Sequence, residues 1–155
     1  MVRKISLTVN GYRKTVEVKD NELLIDVLRD KLKIKGVKAA CWRGECGLCT
    51  VLLNGKLVKS CLVLAVEVDG SEIVTVEGLS RDGELTPIQK AFIEHGALQC
   101  GFCTPAFVIV GHWLLNRNPN PSREEVVEAL NGVLCRCTGY RPIIEAILDV
   151  AKKRK

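Results

Sequence analysis

Eight cysteines fall in four short groups: Cys41-x4-Cys46-x2-Cys49, then Cys61, then Cys100-x2-Cys103, then Cys135-x-Cys137. The first run, with its three thiols in one loop and a fourth further on, has the plant-type spacing that holds a [2Fe–2S] cluster. The remaining four make a second set. Four plus four thiols predict two clusters, and therefore a chain that carries electrons one at a time.

Two other uses of cysteine compete. A disulfide framework belongs to small secreted chains that cannot build a core. Here 47% of 155 residues are hydrophobic, enough for one or two modest cores. Met1-Val2-Arg3-Lys4 runs directly into an alternating strand pattern, with no apolar stretch of signal-peptide length and none of transmembrane length later. The expected compartment is reducing, that is, cytoplasmic. Zinc is the stronger rival, since x2 pairs also suit a tetrahedral site. Three cysteines between Cys41 and Cys49 fit a wrapped iron–sulfur rhomb better than zinc. Gly44 and Gly47 support that reading, because residues without a side chain let backbone N–H groups turn toward sulfur. Spacing alone leaves the second site less well defined.

Composition changes near Ser80 to Glu84, which places a first domain at 1–80 and a second at 81–155. Before the join, strand signals dominate. Ile5 to Val9 alternates, Asn10-Gly11 is a hairpin turn, and Tyr12 to Val18 runs back. Asp20 or Asn21 is placed to cap a helix presenting Leu23, Leu24, Val27 and Leu28. Thr50 to Leu53 and Lys56 to Lys59 flank an Asn54-Gly55 turn, and Ile73 to Val76 offers a last strand. Several strands around one helix, with the cysteine loop beside it, describe a β-grasp ferredoxin domain.

After the join the chain reads as four short helices. Thr86-Pro87 opens the first, which stops at Gly96, and Thr104-Pro105 opens an apolar one from Ala106 to Leu115. Ser122 with Glu125 forms a capping box for a third, and Pro142 starts the last. The fold class is α+β: a β-grasp domain followed by a four-helix bundle with cysteine pairs at its joints.

Three segments carry a resemblance. Cys41-Trp42-Arg43-Gly44-Glu45-Cys46-Gly47-Leu48-Cys49-Thr50-Val51 resembles the first cluster loop of the iron–sulfur subunits of molybdenum hydroxylases. Gln99-Cys100-Gly101-Phe102-Cys103-Thr104-Pro105 and Leu134-Cys135-Arg136-Cys137-Thr138-Gly139-Tyr140 resemble that family's second-cluster motifs. The likeness spans Ile5 to about Ala151, with all eight cysteines in register. It implies an electron-transfer subunit with a large partner carrying molybdenum on a molybdopterin-type cofactor. A medium partner would usually carry FAD, and the three kinds of subunit would assemble as a dimer of heterotrimers. It also implies that Gln99 and Cys137 approach the pterin. A free two-cluster carrier and a zinc-stabilised interaction module are the alternatives from other classes.

Four positions depart from the family's usual pattern: Ala40, Trp42, Ala106 and Val133. None is a thiol; Val133 stands where a polar residue is frequent. Trp42 is expected near the surface, as a shield or a subunit contact. Arg136, between two thiols, is the charge most expected to matter. His95 and His112 are expected to be structural, as is Trp113.

The formal charge is +5, but two oxidised clusters with their thiolates would bring it to about +1. The Lys152-Lys153-Arg154-Lys155 end then reads as solvated or as a subunit contact, and no aromatic-studded basic stripe suits nucleic acid. No glycine-rich dinucleotide turn, P-loop or catalytic triad pattern is present. The chain is expected to carry electrons within an oxidoreductase and not to turn over substrate alone.

Overall fold

In the computed structural model, which describes residues 1–80 and 82–154, the hydrophobic residues divide between two interiors. Arg81, first residue of the expected second domain, and Lys155, last of the basic end, lie outside the described residues.

Strand β1 (Val2–Val9) and β2 (Tyr12–Lys19) form a hairpin in which Val9 faces Tyr12. Asn10 and Gly11 both take positive φ, 53° and 83°, as a two-residue primed turn requires. Strands β3 (Thr50–Leu53) and β4 (Lys56–Lys59) repeat the device around Asn54-Gly55. Strand β5 (Glu72–Val74) lies between the hairpins, parallel to β1 and antiparallel to β3, giving the order β2-β1-β5-β3-β4. It ends two residues before the expected Val76, because Val76–Gly78 turns into a 3-10 helix.

Helix α1 (Leu24–Asp26) passes directly into a π-helical turn over Val27–Lys31. Leu24, Ile25, Val27 and Leu28 are fully buried against β1, β5 and β3 residues such as Leu7, Ile73 and Val51. The expected cap at Asp20 or Asn21 is not made. Asp20 is held at 2.6 Å by the Arg3 guanidinium, and Leu23 is the N-cap, fixed in an isolated β-bridge to Leu64. A long-range backbone contact therefore sets the start of this helix.

Helix α2 (Pro87–Glu94) starts after Thr86, whose N–H donates to the Gln89 side chain at 2.8 Å, and ends before Gly96 at φ 56°. Helix α3 (Thr104–Arg117) is the central rod, with Phe107, Ile109 and Leu115 fully buried. It starts two residues before the expected Ala106: Thr104 lies inside the first turn, and Cys103 takes the capping position. Helix α4 (Arg123–Leu130) has the expected capping box, Glu125 N–H to Ser122 Oγ at 3.2 Å and Ser122 N–H to Glu125 Oε2 at 2.7 Å. Helix α5 (Arg141–Lys153) lays Ile143, Ile147 and Val150 into the bundle.

The basic end is not simply solvated. Lys153 pairs with Asp149 at 2.7 Å and Glu94 at 3.3 Å, while Arg154 donates to the Leu115 carbonyl at 2.9 Å. The two interiors are not separated at the change in composition either. Cys46, Leu48 and Leu52 from the first half pack into the helical core. No helix among the described residues is long and apolar enough to cross a membrane.

Candidate metal centres

The loop from Cys41 to Cys49 is wound by three left-handed residues, Trp42 (φ 57°), Gly44 (φ 75°) and Gly47 (φ 69°). Each reverses the amide direction, so successive N–H groups turn inward. Cys46 N–H and Arg43 N–H both donate to Cys41 Sγ at 3.4 Å. These two donors, Cys46's first, hold the Cys41 thiol down at about 6. Gly44 is favoured by its left-handed backbone; a Cβ there would only push aside the exposed Leu62 side chain.

Cys49 leads directly into β3, where Thr50 Oγ1 donates to the Gly47 carbonyl at 2.6 Å. Cys61 lies in the 3-10 turn Ser60–Leu62 that follows β4. Ser60 is wholly buried, and its hydroxyl donates to the Cys49 carbonyl at 2.8 Å, which brings Cys61 beside Cys49. Burial pushes the Cys49 thiol up to about 11.

The second set gathers where helix ends meet. Cys103 caps α3, and burial pushes its thiol up to about 12. Cys135 is also partly desolvated, yet its thiol is held below the ordinary value by Thr138, whose Oγ1 lies at 3.1 Å and whose N–H donates at 3.4 Å. The Cys135 N–H in turn donates to Tyr140 Oη at 2.9 Å. Tyr140, at φ 66°, is braced edge-on against Phe107 with ring centroids 5.8 Å apart. Cys137 and Cys100 are exposed, their sulfurs 3.5 Å apart, and that contact raises the Cys137 thiol.

Within each set the thiols act on one another's protons: Cys46 on Cys41, Cys61 on Cys49, Cys135 on Cys103, and Cys100 on Cys137, the last two sulfurs 3.5 Å apart. A two-iron unit takes two thiolates at each iron.

The two sets are neighbours. Leu134 N–H donates to the Cys46 carbonyl at 2.9 Å, and a Cβ on Gly47 would lie 1.8 Å from the Gly132 carbonyl. Lys38 Nζ stands over the Phe102 ring, 5.8 Å from its centroid.

Other singled-out residues separate into surface and interior. Gln99 and Arg136 are exposed, and neither side chain makes a hydrogen bond or ion pair among the described residues. Trp42 is 47% exposed, a surface aromatic as expected. Val133 and Ala106 are buried in the helical core, so the polar partner frequent at the former position is replaced by packing. His112 bonds Asn116 at 2.9 Å and His95 pairs with Asp149 at 3.2 Å, both structural roles. Trp113 is stacked under Arg117, its Nε1 without a partner among the described residues. Thr138 and Tyr140 stand beside Cys135 and Cys137 in the sequence, whereas nothing local marks the supporting role of Ser60.

Residues 7–80 match the family described as the 2Fe-2S iron-sulfur cluster binding domain, and residues 75–148 match the [2Fe-2S] binding domain. The chain is 54% identical, over 94% of its length and 88% of the relative's, to the nicotine 6-hydroxylase small subunit of Paenarthrobacter nicotinovorans. It superposes on a chain of quinoline 2-oxidoreductase from Pseudomonas putida 86 with TM-score 0.94 and 46% identity, covering 97% of this chain and 94% of that one. It is 44% identical to aldehyde oxidoreductase of Megalodesulfovibrio gigas, where 97% of this chain matches 17% of a longer one. Two [2Fe–2S] domains in this order, on this fold, define an electron-transfer protein. The chain belongs to the family of small iron–sulfur subunits of molybdenum hydroxylases.

Proposed function

We propose that Cys41, Cys46, Cys49 and Cys61 hold one [2Fe–2S] cluster and that Cys100, Cys103, Cys135 and Cys137 hold the other. The observation that carries this is that the fold gathers four thiols at each of two places: Cys46 N–H reaches Cys41 Sγ and Ser60 ties the Cys61 turn to Cys49 in the first, and the Cys100 and Cys137 sulfurs lie 3.5 Å apart at the helix ends in the second, as two thiolates at each of four irons require. We assign Cys41 with Cys46, Cys49 with Cys61, Cys100 with Cys137 and Cys103 with Cys135, one pair to each iron. The division between the two domains falls at residues 80 and 81 on this reading, and it is a division of clusters more than of cores.

In this role the chain relays single electrons from a molybdopterin centre in a large subunit toward FAD in a medium subunit or an external acceptor. When bound, each cluster supplies one-electron chemistry, so that a two-electron centre can be discharged stepwise. The residues of this chain hold and shield those groups. The inward N–H groups of Arg43, Cys46 and Thr138 favour thiolate over thiol at Cys41 and Cys135. Cys49 and Cys103, both buried, lose their protons only against a metal cation in the same site.

The second loop system is open to a partner where the first is mostly closed. Cys100, Cys137 and Gln99 are all exposed, and Phe102 and Leu134 beside them expose large apolar side chains. This supports an approach of the pterin to Gln99 and Cys137 at that face, in a complex built as a dimer of heterotrimers. Eight thiols without a disulfide suit a reducing compartment, and we place the complex in the cytoplasm.

The test is elemental analysis of the complex purified through a tag on this chain from its native host. Four irons, four labile sulfides and about one molybdenum per chain are expected. Zinc in place of iron, or two irons, would refute the cluster assignment; four irons without molybdenum or any large partner would favour a free carrier.

A further inference from the structure

Lys59 ends β4, opposite Thr50 in the strand register, and so stands between the entry of Cys49 into the sheet and the turn that bears Cys61. Its side chain leaves the sheet and crosses to the first loop, where Nζ donates to the Gly44 carbonyl, midway between Cys41 and Cys46. One ammonium therefore reaches from the element of the fourth cysteine to the centre of the three-cysteine run.

The surroundings of that cation are unusual. Lys59 is half-buried, and with Thr50, Val58, Val110, Gly132 and Val133 it lines a cavity of about 110 Å³ between the sheet and the helices. None of the ion pairs among the described residues involves it. The other cation of the loop, Arg43, is exposed and already matched by Glu45 at 3.1 Å. A half-buried ammonium without a carboxylate gives up hydration for one carbonyl bond, which is unfavourable unless a negative charge is close by. The four thiols of the loop it reaches and the turn it precedes would supply that charge once deprotonated and metal-bound.

We infer that Lys59 is the charge that sets the reduction potential of the first-loop cluster, raising it relative to a neutral side chain at this position. The inference rests on the cluster assignment proposed above. An oxidised [2Fe–2S] unit with four thiolates carries a charge of about −2, and reduction adds one more. A fixed cation stabilises the more negative state more, and it favours reduction of the nearer cluster over the farther one. Lys59 also ties the loop to the strand, so a structural role must be separated from an electrostatic one.

The experiment is a redox titration of the purified complex followed by electron paramagnetic resonance of the two reduced clusters, with wild type, Lys59→Gln, Lys59→Met and Lys59→Arg. Each neutral variant is expected to lower the reduction equilibrium of the first-loop cluster about tenfold, which for one electron is about 59 mV. The second cluster is expected to move less, and Lys59→Arg to stay near wild type. An unchanged first potential in a neutral variant that keeps both signals overturns the inference while leaving the cluster assignment intact. An equal shift of both clusters also overturns it, since the charge then does not belong to the first loop. Loss of the first signal from both neutral variants makes Lys59 a structural clamp and overturns it as well. Wild-type complex with fewer than four irons per chain defeats the cluster assignment itself, and the inference with it.

Discussion

The Leu134 N–H donates to the Cys46 carbonyl across 2.9 Å, joining the residue before one thiol of the second set to a thiol residue of the first. This bond crosses between the two halves. Its geometry depends on Gly47, the next residue, whose missing side chain leaves room for the Gly132 carbonyl. Replacing Gly47 by Ala places a methyl 1.8 Å from that oxygen, on a backbone at φ 69°. Overpacking and a left-handed alanine together are expected to cost about 3 kcal/mol. The measurement is the thermal unfolding midpoint of the purified complex; a midpoint equal to wild type would mean that the halves are not held this closely.

Cys49→Ser is expected to remove the first-loop cluster and leave the second. Cys49 is buried, and on the proposed assignment its loss leaves Cys61 without the second thiolate at the same iron. Iron should fall from four to two per chain, with loss of one reduced-cluster resonance signal and retention of molybdenum. Two undiminished signals would refute the pairing of Cys49 with Cys61.

Gln99→Ala is expected to leave both cluster signals unchanged, because the Gln99 side chain is exposed and holds nothing within this chain among the described residues. The effect should appear instead as a turnover reduced roughly tenfold, the cost of one lost polar contact of about 1.4 kcal/mol. Wild-type turnover and cofactor content would remove the proposed contact with the pterin.

Asp26→Asn tests an electrostatic strain in α1. Burial, then the charges of Asp30 and Glu22, raise the Asp26 carboxyl above its ordinary 3.8. A carboxyl raised on folding favours the folded state only while protonated, so that contribution is lost as pH rises through its folded value. The variant should therefore be more stable than wild type at pH 7, by less than about 1 kcal/mol given the exposure of the site. The gap should narrow as pH is lowered toward 3.8. Urea unfolding at several pH values checks it; a gap that widens at low pH would contradict the assignment.

What was legible in the sequence was local. Asn10-Gly11 and Asn54-Gly55 demand positive φ at both positions and so announce their hairpins, and Ser122 with Glu125 carries its own hydrogen-bond partner three residues away. The cysteine spacings belong to the same class, because one loop supplies three thiols. What stayed hidden depends on residues far apart in the chain. Leu23 begins α1 because Leu64 bridges to it, not because Asp20 caps it. The pairing of Cys103 with Cys135, and of Cys100 with Cys137, needs helices α3 and α5 to be placed first. Lys59 ends a short strand, and only the folded sheet brings the Gly44 carbonyl within reach of its Nζ.

Leu48 and Leu52 belong by sequence to the sheet half and by packing to the helical half. A cut at the junction would strip both of their apolar cover and open α3 to water along Val110 and its neighbours. The seam is therefore an internal interface, and either half taken alone carries an uncovered apolar face in addition to its own core.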